Sequence, residues 1–174
     1  MQLSQAHRLA LKVMSELLPF CEKIEIAGSV RRERNQVNDL DLVLIPKNGL
    51  APIIKRMLRS CELVTGGRVL DSRNLTYQLR TGGHQIDLFV AHGEIVDLVS
   101  RTPSNWGAVY LCRTGSVQHN VQLCARAQAK GLKFAPYRGV VNVGNEIIAS
   151  ATEADIYHAL DLPYREPTDR EVLK

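Results

Sequence analysis

Apolar side chains recur at Ala6, Ala10, Val13, Met14 and Leu17, a spacing of three and four residues that predicts one amphipathic helix over residues 3–18, ending before Pro19. The period then changes. Ile24-Glu25-Ile26-Ala27 alternates like a strand, is interrupted at Gly28-Ser29, and gives way to the cluster Arg31-Arg32-Glu33-Arg34. A second strand is expected over Asp39–Ile45, stopped by Pro46 and the Asn48-Gly49 turn, and helical spacing returns at Leu50, Ile53, Ile54, Met57 and Leu58. Leu75–Arg80 and His84–Val90 flank Thr81-Gly82-Gly83 and predict a hairpin. Further on, Pro103-Ser104 opens a helical stretch over 105–112, and the break at Thr114-Gly115-Ser116 precedes another through Ala129 with Gly131 at its end. Gly139–Val143 and Glu146–Ile148 bracket Gly144-Asn145 as a small hairpin, and Thr152-Glu153-Ala154-Asp155 starts a last helix with a capping-box pattern. The expected fold class is α+β: a mixed sheet with packed helices over residues 1–102, then a smaller, mainly helical domain over 103–174. No internal repeat or low-complexity linker interrupts the chain.

Length and composition narrow the class. With 174 residues, 45% of them hydrophobic, and a net charge of +4, the chain reads as globular, one large domain or two small ones. No run approaches the roughly 20 apolar residues that span a bilayer, so no membrane partner is expected. The stretch Met1–His7 lacks a basic region leading into an apolar one, so an intracellular location, cytoplasm or nucleoid, is expected. Cys21, Cys61, Cys112 and Cys124 form no CxxC pair and are expected to be reduced, mostly buried thiols. The charge is unevenly placed: between Asp97 and Glu146 there is no acid, while Arg101, Arg113, Arg126, Lys130, Lys133 and Arg138 all fall in that interval. A polyanion-binding surface is one reading of that stretch and chance clustering the other.

The acids that precede it carry more chemistry. In Asp39-Leu40-Asp41 the two carboxylates are two residues apart on a strand and therefore share a face, while the intervening leucine points to the core. Two like charges so close favour a cation, and hard oxygen donors suit Mg²⁺. Asp87 repeats the theme inside the apolar run Gln85–Phe89, and three aspartates can hold two metals. A lone DxD is more often a strand end dipping into solvent; here Gly28-Ser29 with Arg32 lies ten residues upstream, a glycine turn and hydroxyl suited to phosphate. Together these point to two-metal phosphoryl transfer. Arg31, opposite Arg32 on an alternating strand, is as well explained by a structural ion pair.

Gly28-Ser29 with Arg32, Asp39-x-Asp41 and Asp87 resemble the nucleotidyltransferase palm of the family X DNA polymerases. Thr114-Gly115-Ser116 followed by Asn120, and the ending Leu162-Pro163-Tyr164-Arg165-Glu166-Pro167 with Arg170, resemble that family's nucleotide-binding segment and C-terminus. The likeness spans about residues 24–174. It implies that Asp39 and Asp41 bind both of two Mg²⁺ ions, for which Mn²⁺ can substitute, and that Asp87 binds the catalytic one and helps activate the primer 3′-hydroxyl. Ser29, Arg32 and Gly28 would receive the triphosphate, Gly115 and Ser116 the sugar, and Asn120 the base edge. Arg113, immediately before Thr114, is a further candidate for the incoming nucleotide or the template. Arg126, Lys130, Lys133 and Arg138 are the candidates for gripping DNA.

Several positions depart from the family. Cys112-Arg113 stands where relatives place aromatic residues, Cys124 where an arginine is common, and Gln85 where an arginine precedes the third aspartate. Only about twenty residues precede the palm, so neither a lyase nor a helix-hairpin-helix subdomain is expected, as in the minimal viral type. Trp106 is expected in a core and not against a base. The implied activity is template-directed addition of dNTPs at gapped or nicked DNA, filling short gaps in repair without lyase or proofreading activity. The protein would act as a monomer ahead of a DNA ligase. The alternatives are a nucleotidyltransferase with a non-DNA acceptor and a DNA-binding protein with a decayed site.

Overall fold

The computed structural model describes residues 1–49, 51–57, 59, 62–69, 75–97 and 99–171. Leu50, Leu58 and Cys61 lie outside the described residues. Two compact units make up the chain, Met1–Val90 and Ala91–Lys174.

The first unit begins with helix α1 (Leu3–Leu17), followed by a 3₁₀ turn over Leu18–Phe20 that accommodates Pro19. Its buried stripe is Ala6, Ala10, Val13 and Leu17, as the spacing predicts, with Met14 at the edge of the same cluster. The small alanines let the helix lie close to the sheet, against Leu40, Leu42, Leu44, Leu79, Ile86 and Leu88, all essentially without solvent exposure. Each such aliphatic side chain contributes roughly 1.5–3 kcal/mol on burial.

That sheet contains β1 (Cys21–Ile26), β2 (Asp39–Pro46), β3 (Glu62–Val69), β4 (Leu75–Thr81) and β5 (His84–Val90), in the order β1-β2-β5-β4-β3. All neighbours are antiparallel except β2 and β5, which run parallel. A short helix, α2 (Gly28–Arg31), follows β1, and α3 (Ala51–Met57) follows β2. The expected hairpin forms with Thr81 opposite His84 and both Gly82 and Gly83 at positive φ, as a two-residue turn of this hand demands.

One local expectation fails. The segment after Gly28 is a helical turn and not an alternating strand, with Arg31 N–H donating to Ala27 O and Arg32 N–H to Gly28 O, both at 3.2 Å. Successive side chains are then about 100° apart, so Arg31 and Arg32 are not on opposite faces.

In the second unit a two-strand ladder, β6 (Ile95–Val96) with β7 (Arg101–Thr102), precedes α4 (Trp106–Thr114), α5 (Val117–Ala129), β8 (Lys133–Ala135), β9 (Gly139–Val141), β10 (Ile147–Ala149) and α6 (Glu153–Ala159). Strands β10-β9-β8 form an antiparallel sheet, one strand more than the expected hairpin. Residues 91–102, expected with the sheet domain, group with this unit. His92 N–H donates to Asn105 Oδ1 (2.8 Å) while Ser104 Oγ donates to His92 O (2.9 Å), which ties the segment to the start of α4.

Gly107 allows α4 to meet the start of α6, since a Cβ there would lie 2.3 Å from the Thr152 backbone carbonyl carbon. The N–H groups of Gly107 and Ala108 donate to Ala151 O and Ser150 O, both at 3.0 Å, satisfying donors that a helix start leaves over. Thr152 caps α6 in a reciprocal box with Asp155. Trp106 is buried, tilted against Tyr110 at 5.2 Å.

Candidate active site

In the first unit the parallel register pairs Asp39 with Gln85 and Asp41 with Asp87. Burial alternates along both strands: Leu40, Leu42, Ile86 and Leu88 are buried while Asp39, Asp41, Gln85 and Asp87 are half-exposed. The three aspartates therefore share the face of the sheet opposite the core, and Asp41 and Asp87 are immediate neighbours across the strands. Asp87 is oriented by amides. Gln85 Nε2 donates to its Oδ1 at 3.1 Å and Oδ2 at 3.2 Å, and Gln78 Nε2, opposite on β4, donates to Oδ1 at 3.2 Å.

Gly28 abuts this face. A Cβ at Gly28 would lie 1.7 Å from Asp41 Oδ2, and its φ is +57°, so both space and backbone conformation demand glycine. The Ala27 N–H donates to Asp41 O at 2.8 Å, pinning the turn to β2. Next to it, Ser29 Oγ is buried with no hydrogen-bond partner, a hydroxyl placed to serve something other than the fold. Arg32 is half-buried at the end of the same turn.

These features suit a divalent cation with phosphate. The donors are hard oxygens on one face, and an orphaned hydroxyl and a glycine lie alongside. Among the described residues no three His, Cys, Asp or Glu side chains form a closed set of metal ligands, so the face provides the donors in register and not a finished cage.

The second unit places the remaining candidates. Gly115, with φ 72°, ends α4 and is joined to Ser116 by a cis peptide bond. Ser116 Oγ caps α5 by accepting from His119 N–H and donates to Arg170 O at 2.6 Å. Asn120 Nδ2 donates to Cys112 O at 2.8 Å, which leaves Asn120 Oδ1 buried without a partner. Arg113 lies over the Tyr137 ring, 5.3 Å from its centroid, and donates to the Tyr137 hydroxyl at 3.0 Å. Arg126 Nε donates to Leu160 O, and Lys130 Nζ to Ala159 O, each at 2.8 Å, so both cations tie down the last carbonyls of α6, beside Asp161. Lys133 and Arg138 are exposed, and Arg138 donates to Asn145 O.

Beneath these lies a polar cluster around Arg170, a residue that the sequence marks only through its C-terminal resemblance. The Arg170 guanidinium, without solvent exposure, donates to Glu153 Oε1 at 2.9 Å and Oε2 at 3.3 Å, and to Arg165 O at 2.8 and 2.9 Å. It lies over the rings of Tyr157 and Tyr164, and Tyr164 donates to Glu153. His119 meets the Tyr157 hydroxyl at 2.7 Å; burial, reinforced by Arg170, pulls its imidazole down to about 4. Burial lifts the Tyr157 phenol to about 12 and the Cys21 thiol to about 11. The described cysteines, Cys21, Cys112 and Cys124, are free thiols.

Residues 109–171 match the model of the DNA polymerase beta thumb. A repair DNA polymerase X from African swine fever virus is 27% identical over 167 residues, covering 94% of this chain and 90% of its own length. The DNA polymerase lambda of Rattus norvegicus is 24% identical over 160 residues, covering 83% of this chain, which spans only 28% of that longer enzyme. The fold is that of a Leishmania infantum polymerase beta crystallised as a ternary P/T complex, with a TM-score of 0.72 at 15% identity over 99% of this chain and 77% of the other. These likenesses support a small family X polymerase. The second unit of the chain contains the residues that match the thumb model. Gln85 donates to both carboxylate oxygens of Asp87 through its amide. Gln78 was discoverable: counting back from the Gly82-Gly83 turn sets it opposite Asp87. No helix among the described residues is long and apolar enough to cross a membrane.

Proposed function

We propose that the chain is a template-directed DNA polymerase that fills short gaps during repair, adding dNTPs to a primer 3′-hydroxyl at gapped or nicked duplex. The observation that carries this reading is the pairing of Asp41 with Asp87 beside Gly28 and the partnerless Ser29 hydroxyl. In the reaction the primer 3′-oxygen bonds to the α-phosphorus of the dNTP, the bond to the β-phosphate bridge breaks, and pyrophosphate leaves. Asp39, Asp41 and Asp87 would hold two Mg²⁺ ions, or Mn²⁺, which lower the pKa of the attacking hydroxyl and neutralise charge on the leaving group.

The chain's own side chains do the rest. Ser29 Oγ donates to a triphosphate oxygen, which satisfies the hydroxyl that the fold leaves unpartnered, and Arg32 adds positive charge at the end of the same turn. The Gln78 and Gln85 amides hold Asp87 in one orientation, so that its carboxylate does not need to reorganise when substrate arrives. In the thumb, Gly115 and the backbone of Ser116 shape the sugar pocket, and Asn120, whose Oδ1 is left without a partner, takes the base edge. Lys133 and Arg138, at the exposed end of the basic interval, contact the duplex backbone. Such a protein acts as a monomer and leaves a nick for a DNA ligase.

The test is extension of a one-nucleotide-gapped duplex with Mg²⁺, each dNTP and each rNTP offered singly. Template-dependent addition with release of pyrophosphate is the expected result. Binding of the duplex without addition would move the assignment to a decayed binder, and labelling of a non-DNA acceptor to another nucleotidyltransferase.

A further inference from the structure

We infer that His119 is a positioning residue for base selection: the Tyr157 hydroxyl donates to its Nε2, which leaves the ring proton on Nδ1, and that N–H holds the Asn120 amide toward the incoming base. The inference rests on the polymerase reading above, in which Asn120 meets the base edge.

The contacts run in series from α6 through α5 to α4. The Tyr157 hydroxyl and His119 Nε2 are 2.7 Å apart. His119 and Asn120 are consecutive near the start of α5, and Asn120 Nδ2 donates to Cys112 O, in α4, at 2.8 Å. Between these two bonds lie two buried atoms with no hydrogen-bond partner among the described residues, His119 Nδ1 and Asn120 Oδ1. Burial, then Arg170, keep the imidazole neutral; the Asn120 side chain acts in the opposite sense, as an amide oxygen beside a ring nitrogen does. A cavity of about 90 Å³, lined also by Arg126, Tyr157 and Arg165, borders the ring, but Nδ1 is sealed from water and does not open on it.

A neutral imidazole has one N–H, so placing the proton on one nitrogen makes the other an acceptor. With the proton on Nε2, Nδ1 and Asn120 Oδ1 would be two buried acceptors on adjacent residues, neither satisfied. With it on Nδ1, the two become donor and acceptor, and Tyr157 supplies the donor that Nε2 then needs. The amide cannot turn over, because Cys112 O requires its N–H end. That bond uses one hydrogen of Nδ2 and leaves the second for the base. Functional hydrogen bonds are often long or misaligned before substrate arrives, and the pair formed by Nδ1 and Oδ1 is of that kind. Rotation of the amide would turn the remaining N–H away from the base, so the Tyr157 hydroxyl, two contacts back, governs what Asn120 reads.

Tyr157→Phe removes the hydroxyl and keeps the ring, so it tests this with little risk to the fold. Two-bond ¹H–¹⁵N correlation spectra report which nitrogen of His119 carries the proton, and incorporation of right and wrong dNTPs into a one-nucleotide gap reports base selection. Wild type, Tyr157→Phe, Asn120→Ala and the double variant are compared, each with its urea midpoint. The wild type is expected to carry the proton on Nδ1 and Tyr157→Phe to show a mixture of tautomers. In Tyr157→Phe the ratio of right to wrong kcat/KM should fall about tenfold through the KM of the correct dNTP, with kcat within about twofold of wild type. In the Asn120→Ala background the same substitution should leave base selection unaltered while lowering the urea midpoint as much as it does alone. A proton on Nε2 in the wild type, unchanged selection in Tyr157→Phe, or a loss of selection that persists without Asn120 would each overturn the inference. An inactive wild type would overturn the polymerase reading and this inference with it, whatever the tautomer.

Discussion

Asp87 in the first unit and Glu153 in the second are both carboxylates held by several donors, and the nature of those donors separates them. Asp87 receives hydrogen bonds from two neutral amides, Gln78 and Gln85, at the half-exposed face of a sheet. Glu153, 8% exposed, receives a bidentate guanidinium from Arg170 and a phenol from Tyr164. Amides orient a carboxylate without neutralising it; a buried guanidinium matches its charge and closes the site. The first arrangement fixes a carboxylate's orientation at a half-exposed face, and the second builds a fastening. The same contrast separates Ser29, whose buried hydroxyl lacks a partner, from Ser116, whose hydroxyl both caps α5 and donates to Arg170 O.

Four measurements would break or sharpen this contrast. Asp87→Ala is expected to reduce single-turnover incorporation by about a thousandfold or more while gapped-duplex affinity persists, because it deletes a donor of the acidic face and no basic residue. Substantial residual turnover would place Asp87 with the fastenings. Arg170→Met should cost about 3–5 kcal/mol in urea unfolding, since Glu153 is left buried and charged. Adding Glu153→Gln to the same chain should return part of that loss. Were Arg170→Met no less stable than wild type, the thumb network would not be a fastening.

A smaller effect comes from His119. Its folded value of about 4 lies below the ordinary 6.5, so as pH falls the unfolded chain takes up the proton first. The associated stability is complete above pH 6.5 and is lost between there and about 4, with a limiting slope of about 1.4 kcal/mol per pH unit. Urea midpoints across that window should fall for the wild type and fall less steeply for His119→Gln. The smallest effect belongs to Ser29→Ala, for which we expect a dNTP KM about fivefold higher with an unchanged or slightly higher urea midpoint, since the hydroxyl satisfies nothing in the fold. A loss of stability with an unchanged KM would make Ser29 the structural serine of the two.

What could be read from the sequence followed the range of the interactions. Helix α1, strand β2 and the β4–β5 hairpin were all predictable because period and turn chemistry are local: alanines at helical spacing, an alternating Asp39-Leu40-Asp41, a Gly82-Gly83 turn. The site aspartates were legible for the same reason, as charges in apolar strands. Strand β3 escaped notice because Gly66 and Gly67 interrupt its pattern, at the place where its register with β4 slips. Strand β8 is three residues long and is defined only by its partner β9. The helical turn at Gly28 is set by its contact with Asp41 on the neighbouring strand, which no window around Gly28 contains. Arg170 stood out only through the likeness of the C-terminal segment, and its enclosure by two tyrosines and Glu153 depends on contacts that no local window contains.

The parallel pairing of β2 with β5 also governs when the acidic face of the first unit is completed. Parallel neighbours need a crossover, and here α3, β3 and β4 all intervene between Asp41 and Asp87. The β4–β5 hairpin can close on its own turn and orient Asp87 with Gln78, but Asp41 joins them only after the long loop has been gathered in and its closure entropy met. The acidic face is therefore complete only when β2 and β5 have paired. Until then a partly folded chain keeps Asp39 and Asp41 together on their own strand but holds Asp87 apart.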